Sequence, residues 1–250
     1  MSKLKDLFFI TSLLGIAIVI GVAIYLYQIR QNFKEFESNF QQTVEQFDKQ
    51  ATNSESLIYL KINDSYLKGD YQKIEFLMRN YLKHSLDFEN NYRQQKNSIK
   101  INRLFDIDQL KNDKSLSEAE LTLEQADLLI LKMYQAKSQM FEKLVIDANQ
   151  IELSTHKKTD QFHQNFDKFF SQYVKSQEQI ISLEKQNLAL KRDMLHLLKT
   201  TEWTIKNDQL IFTAPSNLQQ YQYLQNEINR THLEKIKIQG KTLRLFLNLY

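Results

Sequence analysis

FHQNFDKFFSQYVKSQEQIISLEKQNLALKRDMLHL, the stretch from Phe162 to Leu197, decides the fold class of this chain. Its apolar residues recur at alternating steps of four and three residues, which places them along one side of an α-helix. Asn187 lies within this seam and resembles the buried asparagine that fixes register in coiled coils. The pattern predicts either a coiled-coil seam or the inner face of an ordinary amphipathic helix in a bundle. In both cases other helices must cover it. The seam residues are Phe162, Phe166, Phe169, Tyr173, Ser176, Ile180, Leu183, Asn187, Leu190, Met194 and Leu197.

Glycine and proline are scarce throughout the chain. The 250 residues contain four glycines and one proline, and neither type occurs between Asp70 and Ala214. Folds built on sheets need turn residues far more often than this, so the composition predicts a mainly α protein with long helices. The net charge of +3 is too small for a general nucleic-acid binder. The absence of cysteine excludes a disulfide framework and a thiolate zinc site.

Two helices are predicted on the N-terminal side by the same spacing of apolar residues. The first carries an apolar stripe from Ile29 to Ala51. The chain then breaks at Gly69, and Asp70 is the predicted N-cap of a second helix that continues past Tyr92. The first stripe comprises Ile29, Phe33, Phe36, Phe40, Val44, Phe47 and Ala51.

A loop with one short helical turn is predicted between this second helix and the next. The turn covers Asp106–Lys111, and a capping box of Ser117 and Glu120 then begins a long helix that reaches about Ile151. The polar stretch Glu152–Gln161 interrupts the pattern and is predicted to form a bend or a tight helical hairpin leading into the seam.

The C-terminal part changes character. The stretch WTIKNDQLIF, residues 203–212, alternates apolar and polar residues on both sides of Asn207-Asp208, which predicts a two-residue β-hairpin. Ser216 is the predicted N-cap of a final helix that runs to about Lys235. The remaining C-terminal residues fit either a strand or a further helix.

An uncharged run, LFFITSLLGIAIVIGVAIYLY, occupies Leu7 to Tyr27. As a helix at about 1.5 Å per residue it spans roughly 30 Å, the thickness of a bilayer's hydrocarbon core. The apolar region of a signal peptide is shorter, although Gly21-Val22-Ala23 would suit a cleavage site. A buried helix of a soluble domain would show polar residues on at least one edge. The run therefore predicts an uncleaved transmembrane anchor in the lipid bilayer, with cleavage as the main alternative.

The charges beside this run bear on its orientation. Lys3 and Lys5 precede it while Arg30 and Lys34 follow it, so the positive-inside rule is nearly balanced. The short N-terminal tail favours an N-terminus in the cytoplasm. The chain is thus predicted to be a single-pass inner-membrane protein with its bulk in the periplasm. The predicted parts are a cytoplasmic tail at 1–6, the anchor at 7–27, a long-helix bundle or coiled coil at 28–200, and a β-hairpin plus C-terminal helix at 201–250.

One ordered set of residues near the C-terminus carries a resemblance to a known family. An aromatic residue, an Asn-x turn, a strand ending in Phe and a Ser-capped helix with Tyr-x-x-Leu follow one another here as Trp203, Asn207, Phe212, Ser216, Tyr221 and Leu224. In this order the chain resembles the C-terminal part of an uncharacterised family of bacterial envelope proteins. Members are helical proteins on an N-terminal lipoprotein anchor, so the resemblance implies a location in the envelope and no particular activity. This chain has no cysteine that could carry the lipid.

The histidines are the candidate metal ligands. Asp160-x-x-His163 and Asp193-x-x-His196 share the spacing of the acid-x-x-His element of di-iron bundles, but those sites use glutamate and further carboxylates on facing helices. Both pairs are interpreted as surface pairs at helical spacing. The chain contains no glycine-rich phosphate loop, nucleophile elbow or zinc-protease helix. No catalytic, cofactor-binding or metal-binding residue is predicted. The histidines are His84, His156, His163, His196 and His232.

Three function classes fit these observations. The leading one is a membrane-anchored structural or adaptor protein of the bacterial envelope, which binds a partner protein or a second copy of itself through its helical seams. The first alternative is an envelope sensor or signal-relay module. The more remote alternative is a membrane-associated enzyme, which a buried polar cluster between the bundle and the hairpin would favour. Whether the Tyr71–Tyr92 helix covers the seam decides if the bundle is self-contained.

Overall fold

A computed structural model describes residues 28–50 except 29, 33, 36, 40, 44 and 48, together with residues 56–60 and 67–245. Within these residues no helix combines the length and the apolar character that a bilayer crossing requires. The predicted anchor at 7–27 lies outside them. The described positions between 28 and 50 are helical. Phe47 is the one predicted stripe residue of this segment that is described, and it is buried in an apolar cluster with Ile58 and Ile236.

The chain is mainly helical with one small antiparallel sheet, as the sequence predicts. The predicted long helices, the short helical turn and the hairpin are all present in the described part of the chain. The elements in order are α1 (Asp70–Ser98), a 3₁₀ turn (Ile101–Arg103), α2 (Ile107–Asn112), α3 (Ser117–Asn149), α4 (His156–Thr200), β1 (Trp203–Lys206), β2 (Gln209–Phe212) and α5 (Pro215–Arg244).

The four long helices form an up-down-up-down bundle. α1 runs parallel to α4, because their contacts keep a nearly constant sequence separation, 92 residues for Tyr81–Tyr173 and 88 for Lys96–Glu184. α3 and α5 run antiparallel to α4. The residue numbers of the contacting residues decrease along α3 and along α5 as the residue numbers of their partners on α4 increase. The contacts that show this order are Lys137–Gln177 and Glu120–Lys199 for α3, and Lys235–Glu184 and Thr231–Asn187 for α5.

The buried residues of α4 recur with the period of a straight α-helix and not with the period of a heptad repeat. Phe162, Ile180 and Leu198 are all at most 3% exposed, and they lie eighteen residues apart, which is five turns of about 3.6 residues. A heptad seam drifts by about 20° per heptad relative to such a helix. The predicted seam is therefore correct from Phe162 to Tyr173. Beyond it Ser176, Leu183 and Leu190 are only half-buried, while their neighbours Gln177, Glu184 and Lys191 are buried. The amphipathic-helix alternative is the one observed.

The chain's own helices cover this face of α4. Near the α3–α4 turn, Tyr81 of α1 packs edge-on against Tyr173 with ring centroids 5.7 Å apart, and the two hydroxyl groups are hydrogen-bonded. We name the apolar core at this end the turn-side cluster; it includes Leu77, Met78, Leu144, Phe166 and Phe169. We name the core at the other end the hairpin-side cluster; it includes Leu123, Ile130, Leu188, Met194 and Phe212. The seam therefore does not need a second chain to bury it.

Asp70 does not cap its own helix, contrary to the sequence-based prediction. Gly69 occupies the N-cap position with φ +65°, a left-handed backbone that glycine adopts without steric penalty. The carboxylate of Asp70 instead accepts hydrogen bonds from Ser154 N at 2.8 Å and Lys158 Nζ at 2.8 Å. Hydrogen bonds from Lys158 and Ser154 lower the pKa of Asp70 to about 2. The side chain thus joins the start of α1 to the α3–α4 turn.

The start of α3 also differs from its prediction. Ser117 is the first helical residue rather than the N-cap, and Leu116 before it has a left-handed backbone with φ +58°. Asp113, one turn earlier, accepts hydrogen bonds from Ser117 N at 3.1 Å and Ala119 N at 3.0 Å. The predicted capping box is therefore wrong, although the predicted start of the helix is nearly correct. The carboxylate of Asp113, in the preceding loop, accepts hydrogen bonds from the free N–H groups of the first helical turn instead.

Replacing Asp113 with alanine should lower the free energy of unfolding by about 1–2 kcal/mol, the usual effect of losing a helix cap. Asp113→Asn is the matched control, because its amide oxygen retains an acceptor and should recover more than half of the loss. Urea unfolding of the purified full chain in a neutral maltoside detergent measures both values. An unchanged midpoint for Asp113→Ala would contradict the assignment of the cap.

The hairpin forms as predicted. Trp203 pairs with Phe212 and Lys206 with Gln209, which leaves Asn207 and Asp208 as a two-residue loop. Both loop residues have positive φ, 50° and 57°, the backbone of the type I′ turn that suits tight hairpins.

The final helix differs from its prediction at both ends. It starts at Pro215 with Ala214 as N-cap, so Ser216 is inside the helix and does not cap it. It continues to Arg244, well beyond the predicted end near Lys235. The buried residues Lys235, Ile236, Gln239 and Thr242 face the bundle along this extension. Contacts with α1 and α4 hold the helix there, although its local sequence also fits a strand.

Candidate functional site

A layer of charged and amide side chains separates the two apolar clusters. All four long helices contribute to it at the same level of the bundle, and its members are buried or half-buried. We name this set the polar layer. Its members are Glu89, Arg93 and Lys96 from α1, Lys137 from α3, Gln177 and Glu184 from α4, and Lys235 and Gln239 from α5.

Glu184 lies at the centre of the polar layer. Its carboxylate is 2.5 Å from Lys235 Nζ and 3.4 Å from Lys96 Nζ, with side-chain exposures of 6%, 9% and 16% respectively. One carboxylate therefore joins α4 to α5 and to α1. Burial alone would raise the pKa of Glu184, but Lys235 and Lys96 outweigh it and hold the pKa well below its usual range. The group is ionised at neutral pH.

Glu89 is the second carboxylate of the polar layer. It lies 3.2 Å from Arg93 Nε and 3.9 Å from Lys235 Nζ, and Gln239 Nε2 donates to it at 3.4 Å. Burial opposes its ionisation, but Lys235, Lys137 and Arg93 together lower the pKa of Glu89 to about 2.

Cations outnumber carboxylates in this part of the bundle. Lys137 has Gln177 Oε1 as its hydrogen-bond acceptor at 2.9 Å, and burial lowers the pKa of Lys137. Burial also lowers the pKa of Lys96. Burial would lower the pKa of Lys235 as well, but Glu184 and Glu89 raise it. The polar layer therefore combines two carboxylates with four cationic side chains.

A cavity of about 380 Å³ lies beside the polar layer, between the end of α1, the 3₁₀ turn, α4 and α5. We name it the basic cavity. Three lysines and one glutamate, all buried or half-buried, line it together with the exposed carboxylate of Asp106, and carboxamide side chains on the turn, α4 and α5 form much of the rest. Those groups are Lys96, Lys191, Lys235, Glu184, Asn102, Asn187, Gln225, Asn226 and Asn229.

Lys191 is the least compensated cation of the basic cavity. It is 7% exposed, and its ammonium donates one hydrogen bond, to the carbonyl oxygen of Ile101 at 2.9 Å. It forms no ion pair with a carboxylate of the described residues. Burial, together with the nearby charge of Lys96, lowers the pKa of Lys191 to about 7, although Glu184 opposes the shift.

Asn187, the polar residue predicted within the seam, connects α4 to α5. Its Nδ2 donates to the carbonyl oxygen of Ile228 at 2.9 Å and to Thr231 Oγ1 at 2.8 Å. A buried polar contact of this kind favours one axial register between two helices, since a shift would leave the amide unpaired.

The histidines do not converge on a metal site. His84, His156 and His196 are exposed, while His163 and His232 are half-buried. No group of three or more His, Asp or Glu side chains with metal-binding geometry occurs among the described residues. Asp160 and Asp193, the acidic members of the two considered pairs, are also exposed.

The hairpin packs on the bundle through apolar side chains. Trp203 Nε1 donates to the carbonyl oxygen of Leu198 at 2.8 Å, and the rings of Phe212 and Tyr221 are 5.6 Å apart. The polar layer lies in the middle of the bundle, and these contacts between the bundle and the hairpin contain no buried polar cluster of the kind that would have favoured an enzyme.

Sequence reasoning missed the polar layer and the basic cavity, although one signal was available. Gln177, Glu184 and Lys191 lie seven residues apart, one position beyond Ser176, Leu183 and Leu190 of the predicted seam. Counting from Phe162 at 3.6 residues per turn brings these three polar residues onto the buried face. Counting in heptads places the same three residues outside the buried face.

Comparison of the chain with protein-family models, curated proteins and solved structures finds no match in any of the three.

Proposed function

We propose that the protein is a membrane-anchored structural or adaptor protein of the bacterial envelope. The observation that supports this most directly is the uncharged run from Leu7 to Tyr27, which precedes a helical bundle of long, turn-poor helices. In this proposal the run crosses the inner membrane once, the six N-terminal residues lie in the cytoplasm, and the bundle lies in the periplasm.

The elongated bundle would hold an interaction surface at a set distance from the bilayer. α4 alone has 45 residues, which at about 1.5 Å per residue corresponds to roughly 70 Å. In this proposal the interaction surface binds a partner protein or a second copy of the chain. The α4 seam is a poor candidate for that contact, because α1, α3 and α5 already bury it.

The anchor is tested by two charged substitutions at its centre. Replacing both Ile16 and Ile20 with arginine should move the protein from the membrane fraction into the alkaline-carbonate extract, since each arginine at mid-bilayer costs about 2.5–3.5 kcal/mol. The matched control replaces both residues with leucine and should stay in the membrane. Mass spectrometry of the purified protein reports cleavage at the same time. A mature chain that begins at Ile24 and extracts freely would contradict the proposal.

A sensor or signal-relay module is the second candidate, and the polar layer is the observation that favours it. Charged groups shared by four helices can stabilise more than one arrangement of a bundle. Proximity labelling from the C-terminus in living cells separates the two candidates. Structural neighbours that stay the same under all growth conditions support the adaptor, and neighbours that change with conditions support the relay.

A further inference from the structure

The basic cavity has a charge imbalance that the protein itself does not neutralise. Its lining contains three lysines and two carboxylates, but Asp106 is exposed and pairs with Arg103 at 3.0 Å. Glu184 is therefore the one carboxylate among the buried and half-buried charges of the lining, and this part of the lining carries two net positive charges. Glu89, the other carboxylate of the polar layer, pairs with Arg93 at 3.2 Å and with Lys235 at 3.9 Å, and it does not pair with Lys191. Buried charges are normally paired or hydrogen-bonded, because an uncompensated charge in a protein interior is strongly unfavourable.

Two groups of the lining lack hydrogen-bond acceptors. The Lys191 ammonium has three N–H donors, but among the described residues it has one hydrogen-bond acceptor, the Ile101 carbonyl oxygen. The Asn102 amide nitrogen is buried and has no hydrogen-bond partner among the described residues. Both residues line the basic cavity, one from α4 and one from the 3₁₀ turn. An occupant of the cavity that supplies acceptor oxygens would satisfy both.

We propose that the basic cavity binds a phosphate group, either as the free ion or as a small phosphomonoester. A phosphate group carries one or two negative charges that offset the excess positive charge of the buried lining, and its oxygens can accept from several separate donors at once. A carboxylate carries one charge and two oxygens and would leave part of the lining unpaired. This inference goes beyond the proposed function and does not depend on it.

The volume and the rim of the cavity agree with a small ligand. About 380 Å³ lies at the lower end of the range of ligand pockets and exceeds what a bare phosphate ion occupies. Gln225, Asn226 and Asn229 are exposed side chains of α5 that line the same cavity. Their carboxamides can hydrogen-bond to hydroxyl groups on the organic part of a phosphomonoester, while the lysines hold the phosphate at the buried end.

The site also contains groups that would respond to pH. Lys191 is faced by Lys96 from α1 and the Ile101 carbonyl from the turn. Lys235 and His232 of α5 and the exposed Asp106, just after the turn, line the same cavity. On its own helix, Glu184 is the charged neighbour, and the part of α3 beside it is apolar, with Ala126, Leu129 and Ile130. Because the pKa of Lys191 is about 7, we expect phosphate to bind better at pH 6.5, where the protonated form of Lys191 predominates, than at higher pH.

The test uses inorganic phosphate and the purified full chain in a neutral maltoside detergent. Isothermal titration calorimetry at pH 6.5 should show saturable binding that sodium chloride at the same ionic strength does not produce. A hundredfold excess over Kd should raise the Tm by roughly 5–10 °C. Lys191→Met should weaken binding by roughly 10- to 100-fold while the protein without phosphate stays folded, with a Tm equal to or above that of the unchanged protein.

Two further variants separate a specific site from general charge or misfolding. Lys185→Met removes an exposed lysine from the same helix and should leave binding unchanged. Asn102→Ala removes the unpartnered amide and should weaken binding without removing any charge. Absence of saturable phosphate binding, or an equal loss in Lys185→Met and Lys191→Met, would overturn the proposal.

A competition experiment distinguishes the two sources of the phosphate group. Glycerol 3-phosphate displaces inorganic phosphate if the natural ligand is soluble, whereas phosphatidic acid in mixed maltoside micelles displaces it if the ligand is a lipid headgroup. Displacement by either compound supports the phosphate site and identifies the source. Failure of both to displace bound phosphate would overturn the assignment of a phosphomonoester and leave the free ion as the ligand of the site.

Discussion

Replacing Glu184 with glutamine should lower the free energy of unfolding by about 3–5 kcal/mol, a large part of the stability of an ordinary domain. The substitution leaves Lys235 and Lys96 in the bundle centre without the carboxylate that lies 2.5 Å and 3.4 Å from their ammonium groups. Glutamine keeps the size of the side chain, so the expected loss reports charge compensation and not a cavity. The three-helix contact around Glu184 makes this the most sensitive position of the polar layer.

Urea unfolding at pH 7 measures the effect. Glu178→Gln on the exposed side of α4 is the matched control and should change stability by less than about 0.5 kcal/mol. Raising the pH to 10 should reduce the deficit of Glu184→Gln, because deprotonation of the two lysines removes the unpaired charge. A loss below 1 kcal/mol at pH 7 would show that the polar layer is hydrated and that its charges do not depend on one another.

The stability difference between the unchanged protein and Lys191→Met should depend strongly on pH in phosphate-free buffer. The pKa of Lys191 is about 7 in the folded protein, below the ordinary value of 10.5 that applies to the unfolded chain. Between these values the unfolded state binds more protons than the folded state. Stability from this group therefore rises with pH in that window and is at its lowest below pH 7.

The expected size of this pH dependence follows from the binding of one proton. Each pH unit well inside the window changes the free energy of unfolding by about 1.4 kcal/mol. Between pH 7 and pH 9 the free energy of unfolding of the unchanged protein should therefore rise by about 2 kcal/mol relative to that of Lys191→Met. Parallel urea titrations at several pH values give this difference. Lys185→Met supplies the control, whose difference from the unchanged protein should be flat. A flat difference for Lys191→Met as well would mean that Lys191 keeps an ordinary pKa.

The same lysine connects the stability prediction with the phosphate proposal. A buried ammonium with one hydrogen bond destabilises the empty protein, and Lys191→Met should relieve that penalty at low pH. The same substitution should weaken phosphate binding. A residue that lowers the stability of the empty protein and raises its affinity for an anion is typical of a binding site, since binding sites retain groups that packing alone would not favour.

Local features were read correctly from the sequence because their causes are local. The Asn207-Asp208 turn needs two residues that tolerate positive φ, and the polar break before His156 separates two apolar patterns. The scarcity of glycine and proline limits the chain to long helices wherever apolar residues recur every three or four positions. The helix starts near Asp70 and Ser117 were placed to within a residue, although the groups that cap or anchor them come from elsewhere in the fold.

The polar layer could not be derived from any single helix. Glu184, Lys96 and Lys235 each look like ordinary exposed residues in their own segments, and 51 residues separate the closest two along the chain. Only the axial alignment of α1, α4 and α5 brings them within ion-pair distance. The continuation of α5 to Arg244 depends on the same alignment, because Lys235 and Gln239 gain their partners from α1 and α4.

By itself, the sequence determined that this chain forms long helices, where most of them begin, where the hairpin turns, and that an uncharged segment of bilayer length precedes them. These features depend on backbone geometry and on neighbours a few residues away. The tertiary structure decided which side of α4 is buried, which charges meet inside the bundle, and that a cavity with excess positive charge remains beside them. The physical reason is that a charged side chain can be buried only where partners from other helices compensate it, and those partners are brought together by the packing of the whole bundle.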